Sequence, residues 1–192
     1  TRPLGQVYGR TFGVVGMGAI GRAVARKAAG LGFRVICCSR SLVPHRRTPE
    51  GYETCTYEEL LERADVVSFH TALVPATHHL LNADNLKLMK DDAIVVNTSR
   101  GAVIDNDAVA AALCAGKLWG AGIDVFEHEP VSPDAPIMHA PHTVLTSHAA
   151  YWSEESAVEL RRRCTQNAID VVCGRTPEAC VNPEALSRAL AK

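Results

Sequence analysis

A glycine-rich turn between a strand-like segment and a helix-like segment constrains this chain more than any other feature of its sequence. Residues 11–16, TFGVVG, are short, apolar and β-branched, and apolar residues at helical spacing follow from residue 18 to residue 31. The turn residues Gly16, Gly18 and Gly21 match the pattern G-x-G-x-x-G. In that position the first glycine allows a tight turn, the second lets the backbone approach a pyrophosphate, and the third lets helix pack against strand. The segment therefore predicts a dinucleotide site.

Strand-like runs alternate with helix-like runs along most of the chain. The predicted strands cover residues 11–16, 33–38, 65–70, 93–99, 120–126 and 142–148. These strands are apolar on both sides, which is typical of a parallel sheet covered by helices on both faces. Right-handed crossovers then give a doubly wound parallel sheet, so the sequence predicts a Rossmann-like α/β fold.

Local end signals define several helices and the domain boundaries. A capping box at Thr56 and Glu59 opens one helix, Asp105 caps another, and a long helix is expected from Ser153 to about Cys173. We predict one dinucleotide-binding domain at residues 11–174. Residues 1–10 would form an N-terminal connector and residues 175–192 a C-terminal linker.

Composition excludes several classes of function. The chain has 192 residues, of which 47% are hydrophobic and 21% charged, and its net charge is −1. No basic surplus is available to neutralise nucleic-acid phosphates, and no apolar run approaches the roughly 20 residues of a membrane span. The seven cysteines are scattered without a Cys-x-x-Cys pair, which indicates reduced core thiols of a cytoplasmic protein and no metal site.

The segment 36–41, ICCSRS, ends the second predicted strand without the expected acidic residue. An Asp or Glu there would accept hydrogen bonds from the ribose 2′-hydroxyl of NAD. Ser39 and Arg40 offer instead a hydroxyl and a guanidinium, which suit a 2′-phosphate, and Arg46 and Arg47 lie near enough in sequence to help. We predict NADP as the preferred cofactor. The alternative is NAD held by shape alone, with Arg40 a solvated loop residue.

Polar residues follow four of the predicted strands, at the sheet edge where ligands bind in such folds. An arginine, a carboxylate and a histidine at neighbouring strand ends suit the reduction of a substrate carbonyl that lies beside a substrate carboxylate. The guanidinium binds the substrate carboxylate, the histidine supplies the proton, and a nicotinamide supplies the hydride. Residue types alone do not choose among eight histidines, although His148 is favoured because it ends a buried strand. The four groups are His70 with Thr71, residues 97–101, residues 124–129, and Ser147 with His148.

Four segments together resemble a known family. GVVGMGAIGR, VVNTSRGAVID, GAGIDVFEHEP and LTSHAAYWSEES resemble, in order and spacing, the signature segments of D-isomer-specific 2-hydroxyacid dehydrogenases, and the resemblance covers about residues 5–175. It implies an oxidoreductase that transfers hydride between a nicotinamide and a 2-hydroxy or 2-keto acid. Within this family the chain is most similar to the branch of phosphoglycerate-dehydrogenase-like enzymes and C-terminal-binding proteins, and THHLLN, SHAAYWSEES and ACVNPEAL are similar to segments of the latter. The alternative function is therefore a dinucleotide-sensing binding module of that type.

The same resemblance implies roles for individual residues. Arg100 would bind the substrate's carboxylate and carbonyl, and Glu129 would pair with His148, the acid/base. Glu127 would be a rim residue. The implied cofactor-side residues are Gly16, Gly18, Gly21, the backbone at Ala19 and Ile20, Ser39, Arg40, His70, Thr77, Thr98, Asp124 facing the carboxamide, and Ala150 near it.

Departures from the family pattern concern the cofactor loop and the substrate pocket. Ser39 replaces an aspartate, and Ala72 stands where a proline is usual. Tyr151 and Trp152 stand in the order opposite to that of the C-terminal-binding proteins, so the ring that would enter the substrate pocket has changed.

Members of the family are longer chains in which the cofactor domain is inserted in a second lobe. The resemblance implies that this substrate lobe is absent here, and that this chain is either a fragment or a natural stand-alone domain. We expect the isolated chain to bind dinucleotide but to turn over slowly or not at all. The long helix and the resemblance also predict a homodimer.

Overall fold

A computed structural model describes residues 5–182 and places seven parallel strands in one sheet. The order is β3-β2-β1-β4-β5-β6-β7, and every neighbouring pair is parallel. The doubly wound α/β prediction is thereby confirmed. The strands are β1 (Thr11–Val15), β2 (Arg34–Cys38), β3 (Glu53–Thr54), β4 (Val66–Phe69), β5 (Ala93–Asn97), β6 (Leu118–Ile123) and β7 (Thr143–Leu145).

Helices and short 3₁₀ turns connect the strands. The α-helices are α1 (Ala19–Gly30), α2 (Tyr57–Arg63), α3 (Asn106–Cys114), α4 (Pro136–His139) and α5 (Glu154–Val172), and the 3₁₀ turns are Pro75–Thr77, Asn85–Leu88 and Gly101–Val103. β6 begins and ends earlier than the predicted strand 120–126, and β7 is shorter than the predicted 142–148. In both cases the polar residues after the strand leave the sheet and form the loops described below.

The predicted helix ends are confirmed. The Thr56 hydroxyl accepts from the Glu59 amide at 3.2 Å, and the Glu59 carboxylate accepts from the Thr56 amide at 3.0 Å. Asp105 accepts from the Ala108 amide at 2.9 Å, and Ser153 caps α5. Gly174 follows α5 with φ +71°, a conformation that glycine adopts without strain.

The core lies on both faces of the sheet. The larger cluster includes Phe69, Leu81, Ile104 and Ile123, and the smaller one lies under α1. Three of the cysteines, Cys37, Cys38 and Cys55, are buried and free, and burial raises the pKa of the Cys38 thiol to about 12. The prediction of core thiols is wrong for Cys114, Cys164 and Cys173, which are exposed.

Contacts divide the chain into two compact units, one ending at Ala150 and the other beginning at Tyr151. The second unit contains α5. The predicted boundaries at 1–10, 11–174 and 175–192 stay predictions. Within residues 5–182 no helix has the length and apolar character that crossing a membrane requires.

Candidate functional site

The three glycines of the turn after β1 have distinct surroundings. A Cβ on Gly16, whose φ is +97°, would lie 2.5 Å from the His70 carbonyl oxygen, and a Cβ on Gly21 would lie 1.9 Å from the Gly16 carbonyl oxygen. Gly18 has open space where its Cβ would be, and no side chain caps α1. The turn therefore packs tightly on the protein side and leaves the helix N-terminus, with its positive dipole end, open to an anion.

A cleft of about 570 Å³ opens beside this turn, and we call it the glycine-turn cleft. Its walls come from the turn, from the chain after β2 and from the loop after β4. None of the described residues that line it is an aspartate or a glutamate. Its lining includes Gly16, Gly18, Cys38, Ser39, Arg40, Leu42, Pro44, Cys55, Tyr57, His70, Thr71, Thr77 and Leu80.

Arg40 is the cation of the glycine-turn cleft. Its side chain is exposed, and it forms no salt bridge with any residue of the described chain. The Ser39 hydroxyl lies 3.5 Å from the Ser41 hydroxyl at the same wall. Arg46 and Arg47 do not line the cleft, and Arg47 donates to the Gly51 carbonyl at 2.7 Å. The expectation that these two arginines help at the 2′-position is therefore not supported.

A second cleft of about 630 Å³, the middle cleft, lies between the ends of β4 and β5. It shares His70, Thr71 and Ala72 with the glycine-turn cleft, and Ile20, Leu73 and residues 98–100 complete it. His70 Nε2 lies 2.9 Å from the Ser68 hydroxyl, and burial lowers the pKa of His70. The imidazole is therefore neutral at physiological pH.

Thr77 closes the loop after β4, whose first residues line both clefts. Its hydroxyl donates to the Ala72 carbonyl at 2.6 Å and accepts from the Val74 amide at 2.9 Å. Ala72, at the position where the family pattern has proline, is thus held by a side-chain bond from within its own loop.

A third cleft of about 200 Å³, the histidine cleft, continues from the middle cleft. Leu73 and Arg100 line both clefts, so the three cavities form one line along the carboxyl edge of the sheet. The remaining lining residues of the histidine cleft are Gly101, Ala102, Phe126, Glu127, Glu129 and His148.

Asn97, fully buried at the end of β5, shapes the turn that carries Arg100. Its amide donates to the Arg100 carbonyl at 2.9 Å, and its oxygen accepts from the Ser99 amide at 3.0 Å and hydroxyl at 2.8 Å. The exposed Arg100 guanidinium donates to the Ser99 carbonyl at 2.7 Å and forms no salt bridge within residues 5–182. Its remaining donors are available to an anionic ligand.

Glu129 and His148 form the hydrogen-bonded pair of the histidine cleft. Glu129 Oε2 lies 2.8 Å from His148 Nδ1, and Oε1 accepts from the Phe126 amide at 3.0 Å. These two bonds lower the pKa of Glu129, which is therefore ionised at neutral pH. An ionised carboxylate only accepts, so Nδ1 carries the proton of that bond and Nε2 is the nitrogen left for a ligand.

Asp124 follows β6, and its side chain holds the loop that carries His148. The residue is only 3% exposed. Its carboxylate accepts from the Thr146 hydroxyl, from the Ala149 amide at 2.8 Å and from the Ala150 amide at 3.0 Å. Burial alone would raise the pKa of Asp124, but these three bonds outweigh it and lower the pKa. Asp124 lines none of the three clefts, so the geometry shows a loop-anchoring carboxylate at this position.

Glu127 and His79 form a contact that no pattern in the sequence predicts. Glu127 Oε2 lies 2.9 Å from His79 Nε2, and Oε1 accepts from the Asn106 amide at 3.3 Å. The His79 amide also donates to the Ala102 carbonyl at 2.8 Å. Glu127, expected at the rim, is half-buried and joins three segments of the site. A separation of 48 residues left no local signal of this contact.

Gly101 brings the Arg100 turn directly onto the backbone that leads to Glu129. A Cβ at this position would lie 1.9 Å from the Phe126 carbonyl carbon and oxygen. Close backbone packing therefore sets the distance between the arginine turn and the Glu129–His148 pair.

Comparison with known proteins identifies the family. Residues 1–150 match the profile of the D-isomer specific 2-hydroxyacid dehydrogenase NAD-binding domain. The chain belongs to the D-isomer-specific 2-hydroxyacid dehydrogenase family. This match confirms the resemblance and the predicted dinucleotide-binding domain. It also supports the prediction that the cofactor is NAD or NADP, without deciding between the two.

Relatives of this chain include a glyoxylate reductase and a glyoxylate/hydroxypyruvate reductase B. It is 43% identical to a glyoxylate reductase of Korarchaeum cryptofilum and 36% identical to a glyoxylate/hydroxypyruvate reductase B of Klebsiella pneumoniae, in each case over 93% of this chain. It covers 54% and 55% of those proteins. The solved structure of the TT0316 protein of Thermus thermophilus is 41% identical, with a TM-score of 0.84 over 92% of this chain and 55% of that one. This chain thus spans about half the length of these relatives.

The structure brings most of the predicted site residues together along the line of clefts. The exceptions are Asp124 and Ala150, which meet beneath the His148 loop, and Ala19 and Gly21, which belong to the start of α1. Tyr151 and Trp152 lie in the second unit, where their exposed rings meet edge to face at 6.2 Å. Their role at a substrate stays a prediction.

Proposed function

We propose that this chain binds NADP(H) in preference to NAD(H) and carries the acid/base pair of a reductase that converts 2-keto acids to 2-hydroxy acids. The observation that carries the proposal is the continuous line of three clefts, with Arg40 at one end and Glu129 with His148 at the other. A dinucleotide laid along this line passes the open helix N-terminus at Gly18 on its way.

The wall at Ser39 and Arg40 supports the preference for NADP(H). The glycine-turn cleft has no described carboxylate to accept from a ribose 2′-hydroxyl, and none to repel a 2′-phosphate. Arg40 is free of ion pairs with other described residues, so its guanidinium can bind a phosphate bidentately. NAD(H) is the weaker ligand in this proposal because it leaves that guanidinium without a partner.

The histidine cleft supports the chemistry. The nicotinamide cofactor supplies a hydride when bound. Arg100 holds the substrate carboxylate with its unpaired donors, which fixes the carbonyl beside His148 Nε2. His148 donates a proton from Nε2 to the carbonyl oxygen, and Glu129 stabilises the protonated imidazole through Nδ1.

The class of substrate comes from the size of the site and from the relatives. The histidine cleft, of about 200 Å³ and open to the middle cleft, has room for a small acid, and relatives are glyoxylate and glyoxylate/hydroxypyruvate reductases. Two- and three-carbon 2-keto acids are therefore the proposed substrates. We also propose a cytoplasmic homodimer, supported by the free thiols and by the exposed apolar residues Val158, Leu160 and Val172 of α5.

Two measurements test the proposal. Titration of the chain with NADPH and NADH, followed by nicotinamide fluorescence, is expected to show about tenfold or more tighter binding of NADPH. Equal or tighter binding of NADH would contradict the preference. Reduction of glyoxylate or hydroxypyruvate by NADPH is then followed at 340 nm with the full gene product that contains this chain, and absence of turnover with either acid would contradict the proposed reaction.

A further inference from the structure

The Tyr57 side chain connects two walls of the glycine-turn cleft. Tyr57, the first residue of α2, donates its hydroxyl hydrogen to the Leu80 carbonyl at 2.9 Å, across 23 residues of sequence. Both residues line the cleft. Tyr57 belongs to the wall formed by the chain after β3, and Leu80 belongs to the loop after β4. The bond therefore fixes the separation of these walls.

The position of this bond identifies the part of the ligand that it faces. The sheet order places β2 and β3 on one side of β1, and β4 and β5 on the other. The middle cleft, with Thr98 and Arg100, lies on the β4–β5 side, so the nicotinamide half of a dinucleotide goes there. The adenosine half then extends past Ser39 and Arg40 towards Tyr57 and the apolar residues Cys38, Leu42, Pro44 and Cys55.

The Leu80 carbonyl has a second donor on its own side of the cleft. The Asn85 side-chain amide donates to it at 2.7 Å, and the Asn85 oxygen accepts from the Asn82 amide at 2.9 Å. The loop after β4 is thus anchored without Tyr57. Loss of the tyrosine hydroxyl leaves no unpartnered carbonyl, and what it removes is the connection across the cleft.

We propose that Tyr57 is a positioning residue for the adenosine half of the dinucleotide, because it lines the glycine-turn cleft and its bond to Leu80 holds two walls of the cleft at one separation. The inference rests on the proposed dinucleotide binding. A wall fixed before the ligand arrives does not have to be ordered by it, so the apolar end of the cleft is preorganised for a planar base. The burial of Tyr57 raises the pKa of its hydroxyl, which keeps it a donor across the physiological range.

Binding of the two halves of the cofactor separately tests the inference. Dissociation constants of adenosine 2′,5′-bisphosphate, reduced nicotinamide mononucleotide and NADPH are measured by calorimetry or NMR for the wild type and Tyr57→Phe. We expect the variant to bind the bisphosphate and NADPH about three- to tenfold more weakly, with the mononucleotide unchanged. The matched control is Tyr52→Phe, since Tyr52 packs outside the cleft against the smaller core cluster.

The affinities of the Tyr57 variants for the two halves of the cofactor decide whether the inference stands. Unchanged affinity of Tyr57→Phe for the bisphosphate would overturn the inference, and so would an equal loss for both halves, which indicates general loosening of the fold. Tyr57→Met, which also lacks the hydroxyl, is the second variant and is expected to show the same selective loss if Tyr57→Phe does not fold. If the wild type binds neither NADPH nor NADH, the proposed function fails; if it binds them and the variants match it, only this inference fails.

Discussion

Glu127 and His79, 48 residues apart in the sequence, contact each other at 2.9 Å and so connect the turn that carries Arg100 with the loop that carries Glu129. Glu127 lies two residues before Glu129, and the His79 amide donates to the carbonyl of Ala102, two residues after Arg100. Together with the close packing at Gly101, this contact joins the arginine turn to the loop of the Glu129–His148 pair.

Removal of the Glu127 carboxylate is expected to destabilise the site. Glu127→Ala leaves the Asn106 amide and the His79 ring without their partner, so the free energy of unfolding should fall by about 1–2 kcal/mol. Urea unfolding of the wild type and the variant measures this change in the free energy of unfolding. Glu62→Ala is the matched control, because Glu62 is exposed on α2, and equal stability of the two variants would contradict the role given to Glu127.

Alanine at two glycines of the turn after β1 should give opposite results. Gly21→Ala places a methyl group 1.9 Å from the Gly16 carbonyl, so stability should fall by at least about 1–3 kcal/mol. Gly18→Ala meets open space and should keep stability within about 1 kcal/mol, yet its methyl group occupies the approach of the pyrophosphate. Thermal unfolding and NADPH titration separate the two effects, and normal NADPH binding by Gly18→Ala would refute the placement of the phosphates.

The cofactor preference is expected to depend on Arg40 and Ser39. Arg40→Leu is expected to weaken NADPH binding about tenfold while NADH binding stays unchanged, because only the 2′-phosphate needs the guanidinium. Ser39→Asp should reverse the preference by adding an acceptor for the 2′-hydroxyl and a repelling charge. Arg46→Leu, outside the cleft, is the control. A parallel loss of both cofactors in Arg40→Leu would argue against the assignment.

Asp124 makes stability depend on pH in the acid range. Its pKa is lowered in the folded state, so its contribution is complete above the ordinary aspartate pKa of about 3.9 and is lost as pH falls through the lowered value. Asp124→Asn should cost about 2 kcal/mol near pH 7 and should flatten the decline of stability between about pH 5 and pH 2. Asp134→Asn, in an exposed loop, is the control. An unchanged acid limb in Asp124→Asn would show that other carboxylates dominate.

The histidine cleft should control turnover without controlling cofactor binding. His148→Gln is expected to lower kcat for glyoxylate reduction by about 10²- to 10⁴-fold in the full gene product, with the dissociation constant of NADPH unchanged. His128→Gln provides the comparison, since His128 is an exposed neighbour that does not line the cleft. Comparable kcat values for the two variants would exclude His148 as the proton donor.

Features with a local cause were predictable from the sequence. The glycine turn, the capping box at Thr56 and the cap at Asp105 depend on residues within a few positions of one another, and all three are confirmed. The parallel sheet followed from apolar strands alternating with helices. β3 escaped prediction because two residues carry no period, and it exists by pairing with β2.

Features with a distant cause could not be predicted in the same way. In the sequence, Asp124 is only a polar residue at the end of a predicted strand. Its carboxylate accepts hydrogen bonds from backbone amides 25 and 26 residues later, and these contacts exist only in the folded chain. From the sequence alone, Glu127 is expected to be a rim residue, because its partner His79 is 48 residues away in the sequence. Tyr57 reads as a member of an amphipathic helix, and its bond to Leu80 depends on the crossover from β3 to β4.

The place of β1 between β2 and β4 has a consequence for how such a molecule can change over time. The residues proposed to select the cofactor lie in the first third of the chain, on the β2–β3 side of β1, and those proposed for the chemistry lie after β5, on the β4 side. In evolution or in engineering, substitutions at Ser39 and Arg40 are therefore expected to change which cellular reductant is used without altering the residues proposed for proton transfer.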